Sequence, residues 1–257
     1  STNFTFSWNK NEIVELVHNY VHPETGELIT KERLEIKGLG KAKYILKPGG
    51  TLGDLYTNSD LVYNDDGYIE VDKNGNVAVK DDYMDDIYLG SVFPKYNLAW
   101  RNDFNYKGIN LGVLFTARIG GICYSATQAN MDLYGVSEAS AAARDAGGVM
   151  INGRDMIDAQ KWYQVIGSQS GLPQYYTYSA TNVRLQELSL GYTLPSKWFR
   201  DKMRMTVSFV GRNLWMIYCK APFDPEAVAS TGMNYQGIDY FMMPSMRNLG
   251  FNVKFQF

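Results

Sequence analysis

The chain has 257 residues, is rich in aromatic side chains (19 tyrosines, 12 phenylalanines and 5 tryptophans) and carries a formal charge of −2. This balanced charge excludes the basic surface that nucleic-acid binding requires, so no nucleic acid is expected as a partner. No run of about 18 apolar residues occurs, which excludes a transmembrane helix but leaves membrane-spanning strands open.

The first predicted element is a strand at residues 3–9, where aromatic and polar side chains alternate. Residues 12–44 show no regular pattern. Residues 48–56 predict a further strand, because extended residues there are interrupted by glycines, which mark bends within strands.

Residues 68–79 predict a tight hairpin, since an Asn-Gly pair supplies the positive φ angles of its turn. Asp72, Asn74 and Asn76 match the first half of a calcium-binding loop, but Val77 stands at its glycine position and the terminal glutamate is missing. A solvated acidic turn is therefore favoured over a metal site, and no cofactor is expected. The acidic residues of this stretch are Asp65, Asp66, Asp72, Asp81, Asp82, Asp85 and Asp86.

Residues 95–119 predict a hairpin of two strands, each long enough to cross a membrane, with a turn at residues 106–108. One parity of both strands is apolar and the other is polar. The apolar parity consists of Tyr96, Leu98, Trp100, Phe104, Tyr106, Ile109, Leu111, Val113, Phe115, Ala117 and Ile119.

A long connection at residues 121–182 follows, and it contains two candidate helices. Ser137 is expected to cap a helix at residues 138–144, and Asp155 is expected to cap another at residues 156–165. Connections of this length are typical of the outer side of outer-membrane barrels, whose periplasmic turns are short.

The last third of the chain returns to alternating strands. Residues 183–194 predict a strand whose apolar parity changes midway, so a bulge is expected at residues 186–187. A short turn, another alternating strand from Met203 and a second long loop at residues 218–246 lead to the final strand at residues 249–257.

Together these elements predict an all-β fold of antiparallel up-and-down strands that forms part of a transmembrane β-barrel. The apolar faces would lie against outer-membrane lipid, because a closed barrel satisfies every backbone hydrogen bond there. The turns at residues 106–108 and 195–202 would lie on the periplasmic side, and the long loops, with their short helices, would be extracellular.

Several motifs distributed over the chain carry a family likeness. They are residues 89–95 (LGSVFPK), 134–137 (YGVS), 143–149 (ARDAGGV), 183–195 (VRLQELSLGYTLP), 211–214 (GRNL), 223–226 (FDPE) and 244–257 (PSMRNLGFNVKFQF). In combination they resemble the carboxy-terminal region of SusC/RagA-type TonB-dependent transporters. The resemblance implies part of a plugged, 22-stranded barrel in the cell outer membrane. Such proteins import oligosaccharides or peptides, are capped by a SusD-type surface lipoprotein, and are driven through the TonB complex.

The chain departs from this family in extent. It shows neither a plug domain nor a TonB-contacting segment, and about seven spanning strands are predicted where the family has 22. Residues 1–257 are therefore expected to form a partial carboxy-terminal segment of the barrel, without the plug and most strands.

The resemblance implies that aromatic residues of the loops and inward-facing arginines are candidates for contact with the imported substrate. Loop aromatics would stack on sugar rings or pack on peptides, with packing inside the loops or against the lipoprotein as the alternative. These candidates are Trp162, Tyr163, Tyr175, Tyr176, Tyr178, Tyr235, Tyr240 and Phe241. Arg118, Arg184 and Arg212 face inward by parity, so they would line the lumen or pair with plug carboxylates, unless they are ordinary lumen polarity.

The aromatic carboxy-terminus has a second implied role. Phe255 and Phe257 resemble the terminal signal that the barrel-assembly machinery reads, and the alternative is that they are simply lipid-facing girdle residues.

Two other classes of function are alternatives to transport. A secreted or periplasmic β-sandwich that binds glycans or scaffolds partners would require the apolar faces to meet across a core. An enzyme is not expected, because His18 and His22 lack the glutamate of a zinc-protease helix and no nucleophile elbow, P-loop or dinucleotide fingerprint occurs. Cys123 and Cys219 are too few for a disulfide framework.

Overall fold

A computed structural model of the chain describes residues 1–81, 86–168, 170–200, 202–232 and 235–257. The strands are β1 (Thr2–Trp8), β2 (Val17–Val21), β3 (Leu28–Lys31), β4 (Leu34–Lys37), β5 (Lys43–Leu46), β6 (Asp54–Thr57), β7 (Asp60–Leu61), β8 (Val79–Lys80), β9 (Ile87–Ser91), β10 (Tyr96–Tyr106), β11 (Ile109–Ile119), β12 (Ile122–Ser125), β13 (Val149–Ile151), β14 (Asp155–Ile157), β15 (Thr177–Ser179), β16 (Asn182–Thr193), β17 (Arg204–Cys219), β18 (Ile238–Asp239) and β19 (Asn248–Gln256). The helices are α1 (Ala126–Leu133), α2 (Glu138–Asp145) and α3 (Ala159–Ile166), with short 3₁₀ turns at Pro173–Tyr176 and Ser196–Phe199.

Within the described residues, six strands form one antiparallel sheet in the order β1, β10, β11, β16, β17, β19, which we call the wall. Neighbours in the wall follow one another along the chain, as an up-and-down barrel requires. The prediction of about seven spanning strands is wrong, because residues 48–56 lie outside the wall. Only Asp54–Thr57 is extended there, and it pairs with β5 and β9.

The turn between β10 and β11 follows the sequence prediction. Lys107 and Gly108 have φ angles of 47° and 87°, the left-handed pair that matches the twist of a two-residue hairpin. The register is unbroken from Tyr96 opposite Ile119 to Tyr106 opposite Ile109. The large apolar side chains of the two strands therefore lie on one face of the wall, except Leu114, which lies between Arg101 and Glu187 on the other face.

The wall has one apolar and one polar face. The apolar face is exposed along its length, and Phe251 remains 81% accessible although its ring packs edge-on against Phe209 at 5.5 Å between centroids. Trp100 likewise stacks on Phe115 across β10 and β11. No second sheet in the described part of the chain buries these rings, so the β-sandwich alternative is wrong and the sheet is part of a transmembrane barrel wall.

A bulge in β16 keeps the two faces separate. Leu114 pairs with Glu187 and Phe115 pairs with Leu185, so Gln186 is the extra residue, as predicted. Without it, one half of β16 would point its apolar residues toward the polar face.

Three long connections leave the same end of the wall and fold together into what we call the outer globule: residues 9–95, 120–181 and 220–247. β12, from the second connection, pairs with β15 and, in parallel, with β18 from the third. All three connections contribute to a common core, whose buried members include Tyr44, Leu55, Leu61, Tyr124, Trp162, Ile166, Leu172, Tyr176 and Ile238. The extracellular loops are therefore a packed unit.

The helices of the outer globule agree only partly with the sequence prediction. Ser137 caps α2, accepting a hydrogen bond from the Ser140 amide at 3.0 Å, as predicted. The helix predicted at residues 156–165 starts later, because Asp155–Ile157 pairs with Val149–Ile151 as a strand and Asp158 caps the helix instead. None of the helices in the described chain is long and apolar enough to span a bilayer.

Candidate functional site on the polar face and outer globule

A row of charges crosses the polar face of the wall. Glu187 of β16 bonds to Arg212 of β17 at 2.9 Å and to Arg101 of β10 at 3.3 Å. Arg101 also bonds to Asp103 at 3.0 Å. Arg101 and Glu187 are in register with Leu114 of β11, and the Asp103 end of the row lies over Gly112, where an added Cβ would lie 2.5 Å from Ser189 Oγ and 3.0 Å from the Asp103 carboxylate. Glycine therefore makes room for this network.

At the outer end of the polar face, Arg184 joins wall and loop. Its guanidinium forms a bidentate pair with Asp224 and donates to Asn213 Oδ1 at 3.4 Å and to Ser245 Oγ at 3.3 Å. We call Arg184, Asn213, Asp224 and Ser245 the Arg184 cluster. Each member comes from a different one of the motifs that resemble the transporter family. The sequence motifs therefore meet in space.

The Arg184 cluster holds Asp224 as a carboxylate. Burial alone would raise the pKa of Asp224, but the hydrogen bonds from Arg184 and Ser245 outweigh burial and lower that pKa to about 2. Glu226 adds a second carboxylate, 3.5 Å from Arg184. Asp224 is thus a carboxylate at every physiological pH, and the cluster is a charged anchor.

The structure distinguishes the three candidate arginines. All three lie on the polar face, but Arg184 is buried beneath residues 220–247, so it cannot line an open lumen as the sequence suggested. Arg212 is 65% accessible and Arg118 is half-exposed beside Glu226 at 3.8 Å. The alternation of the sequence correctly predicted the face on which the three arginines lie. It could not predict that residues 220–247 cover Arg184.

Two of the candidate contact aromatics belong to the core of the outer globule. Trp162 is 7% and Tyr176 is 2% accessible, and the Tyr176 hydroxyl donates to the buried Asp132 carboxylate at 2.9 Å. Burial raises the pKa of Tyr176, and Asp132 raises it further. The prediction that Trp162 and Tyr176 contact cargo is therefore corrected: both are packing residues.

The remaining candidates reach solvent to different degrees. Tyr175 packs edge-on against Trp162, and Tyr178 packs edge-on against Phe223, while each keeps one side open. Tyr163 is half-buried beside α1. These rings are held in fixed orientations by the core beneath them.

The third connection presents the most exposed rings, Tyr235, Tyr240 and Phe241. Phe241 is 59% accessible, and its amide donates to Thr127 Oγ1 at 2.6 Å. Its φ of 51° turns the chain sharply at that position. The segment is therefore both exposed and tied to α1.

The acidic hairpin forms only in part as predicted: Val71 and Val77 make an isolated bridge, and of the Asn-Gly pair only Gly75 has a positive φ, of 74°. Hydrogen bonds within the turn satisfy its acidic side chain. Asp72 accepts hydrogen bonds from the amides of Asn74 and Asn76, both at 2.8 Å, and these bonds lower its pKa. In the described ranges no three His, Cys, Asp or Glu side chains gather as metal ligands. Asp82 and Asp85 lie outside the described residues.

The terminal aromatics and the cysteines complete the candidates. Phe255 lies on the apolar face opposite Met205, and Phe257 is fully exposed. Cys123 and Cys219 are free thiols, and burial raises the pKa of Cys123 to about 12.

Comparison with known proteins agrees with this architecture. No family model matches the chain. "TonB-dependent receptor P3" of Formosa agariphila is 24% identical over 99% of this chain. The resemblance to TonB-dependent outer-membrane transporters is confirmed. The chain belongs to an outer-membrane protein. It spans 26% of the length of that receptor.

Solved structures show the same fold. The RagAB peptide transporter matches 99% of the chain with a TM-score of 0.55 at 16% identity. The RagAB peptide importer in its "closed-closed" and "open-open" states gives TM-scores of 0.56 and 0.53. This chain again covers 26% of each of those chains. These relatives are receptors and transporters, not enzymes.

Proposed function

We propose that residues 1–257 form the carboxy-terminal part of the barrel wall, with its extracellular loops, of a TonB-dependent transporter. The observation that carries the proposal is that the wall has two different faces. Its apolar face is exposed, as Phe251 illustrates, and its polar face carries the row of charges around Glu187. Lipid outside and an aqueous passage inside are the two solvents that such a sheet requires.

The edges of the wall support the interpretation that the chain forms only part of a barrel. β1 and β19 each pair on one side only within the described chain. An unpaired strand edge is costly in lipid, so the complete barrel must supply strands beside both. We place the plug and the TonB-contacting segment in the same complete protein, and we assign Phe255 and Phe257 to recognition by the barrel-assembly machinery.

The proposed cargo is a peptide or an oligosaccharide, taken up together with a SusD-type lipoprotein. The likeness to a transporter described as a peptide importer makes peptides the first cargo to test. The proposed contacts are the accessible side chains Tyr163, Tyr175, Tyr178, Tyr235, Tyr240, Phe241, Arg118 and Arg212. Aromatic faces would pack on peptide side chains or stack on sugar rings, while arginines would bind carboxylates.

Uptake by the host organism tests this function. Cells with and without the gene that encodes this chain would be given fluorescent peptides and, separately, fluorescent oligosaccharides. We expect uptake of one class to require the gene and to stop when a protonophore removes the energy supply for TonB. Uptake of both classes that is indifferent to the gene would refute transport.

A cargo-contact variant sharpens the test. The double substitution Tyr240→Ser and Phe241→Ser is expected to weaken uptake, because both rings are exposed and fixed in place. Tyr106→Ser is the control, since Tyr106 is also an exposed ring but lies at the far end of the wall.

A further inference from the structure

One outer loop is held to the wall at both of its ends by the same side chain. Residues 220–247 connect β17 to β19, and Arg184 belongs to β16, on the other side of β17. Asp224 lies near the start of this connection and Ser245 lies near its end, yet both contact the Arg184 guanidinium. Arg184 therefore closes the connection into a loop with a fixed base.

The contact is buried and fully hydrogen-bonded. The side chains of Arg184 and Asp224 are only 3% and 9% accessible. Asn182 Oδ1 accepts from Arg184 Nε at 3.1 Å, and the Ser245 amide donates to Asp224 Oδ2 at 3.2 Å. A buried ion pair is costly unless its remaining donors and acceptors are satisfied in this way, and removing one partner is strongly destabilising.

An irregularity in the pairing of β16 and β17 orients the side chain of Asn213 toward the loop. Opposite the bulge at Gln186, β17 also departs from regular pairing, and Asn213 adopts a φ of 51°. In that conformation Asn213 Nδ2 donates to the Ser245 carbonyl at 3.0 Å. The end of the loop is thus tied to β17 as well as to β16.

The middle of the loop is fixed at a separate place. Ile238 pairs with Tyr124 of β12, Ser125 Oγ donates to Asp239 at 2.6 Å, and the Phe241 amide bonds to Thr127. Between this attachment and the Arg184 cluster, the chain exposes four consecutive large side chains. They are Tyr240, Phe241, Met242 and Met243.

We propose that Arg184 is a positioning residue: by binding both ends of residues 220–247, it acts together with the attachment to β12 and α1 to fix Tyr240 and Phe241 in the orientation that contacts cargo. The contact with cargo rests on the proposed function, but the anchoring of the loop does not. Arg184 acts through Asp224 and Ser245 and touches no cargo itself.

Hydrogen–deuterium exchange on the complete transporter in lipid nanodiscs tests the anchor. In Arg184→Gln, amides of residues 220–247 are expected to exchange on the order of 100-fold faster, because the buried Asp224 loses its counter-charge. Amides of β16 and β17 should keep their protection. Arg212→Gln is the matched control, since it removes an inward arginine of the wall that does not touch the loop.

A second variant guards against failure of Arg184→Gln to assemble. Ser245→Ala removes the hydroxyl contacts with Asp224 and Arg184, keeps the bond from the Ser245 amide to Asp224, and leaves no unpaired charge, so a smaller acceleration, of about 5- to 10-fold, is expected. Unchanged exchange in residues 220–247 of an assembled variant would overturn the anchor.

Uptake kinetics test the positioning role. Arg184→Gln is expected to raise the KM for cargo about 10-fold while the maximal rate per assembled transporter stays the same, because only the docking geometry is loosened. Faster exchange with an unchanged KM would overturn the positioning claim. Uptake that never depended on the gene would refute the proposed function instead, and the exchange result would still stand.

Discussion

A charge placed on the apolar face should destabilise the wall far more than the same charge on the polar face. Phe251 and Asn252 are neighbours on β19 and point to opposite faces, since Phe251 pairs with Phe209 and Asn252 pairs with Ser208. Both lie near the middle of a strand whose length matches the hydrocarbon core. Phe251→Arg and Asn252→Arg therefore differ chiefly in the medium that the arginine meets.

The magnitude follows from two terms. An arginine at the bilayer midplane of a barrel costs about 2–4 kcal/mol, and loss of the edge-on pair between Phe251 and Phe209 costs about 0.5–1.5 kcal/mol. The free energy of unfolding of Phe251→Arg should fall by about 3–5 kcal/mol. This corresponds to a shift in the unfolding equilibrium of roughly 100-fold to several thousand-fold. Asn252→Arg should change it by about 0.5 kcal/mol or less.

Urea unfolding of the complete transporter in lipid vesicles measures both values. The unfolding midpoint is followed by tryptophan fluorescence and by the mobility of the folded barrel in cold SDS gels. Equal midpoints for the two variants would refute the assignment of the apolar face to lipid. A loss for Asn252→Arg that exceeds the loss for Phe251→Arg would reverse it.

Three further perturbations test separate parts of the structure. Deleting Gln186 should prevent barrel assembly, because it exchanges the faces of half of β16, whereas Gln186→Ala should assemble normally; heat-modifiability on gels compares them. Tyr176→Phe should cost the outer globule about 1–3 kcal/mol, because buried Asp132 loses a donor, while the wall keeps its stability; loop proteolysis against urea unfolding separates the two. Since the pKa of Asp224 is lowered to about 2, its stabilisation is complete above pH ~4, the value of an unfolded aspartate, and is lost as the pH falls through 2. Exchange in residues 220–247, corrected for its intrinsic pH dependence, should be constant from pH 8 to 5 and rise below pH ~4; a rise near pH 6 would contradict this assignment.

The sequence was most informative where two solvents impose two faces. In β10, β11 and β19 the alternation of apolar and polar residues identifies the strand, its parity and its apolar side, because lipid and an aqueous interior each select one set of residues. Even the bulge at Gln186 was visible, as the point where the apolar parity changes.

The outer globule was less predictable because distant residues decide its packing. Trp162 and Tyr176 carry no local signal that separates a buried ring from an exposed one, and their burial depends on all three connections. Asp155 and Asp158 are equally good helix caps, and the pairing of Asp155–Ile157 with Val149–Ile151 selects the second. The burial of Arg184 was unpredictable for the same reason. The alternation of β16 predicts the face on which Arg184 lies, but not that residues 220–247 cover it.

The central claim is that hydrocarbon surrounds the apolar face of the wall, and quenching by brominated lipids tests it most directly. Trp100 lies on that face and is half-exposed, whereas Trp162 is buried in the outer globule. In single-tryptophan variants of the complete transporter, with all other tryptophans replaced by phenylalanine, bromine in the acyl chains should quench Trp100 strongly and leave Trp162 unaffected. Equal emission from Trp100 in brominated and ordinary lipid would contradict the claim.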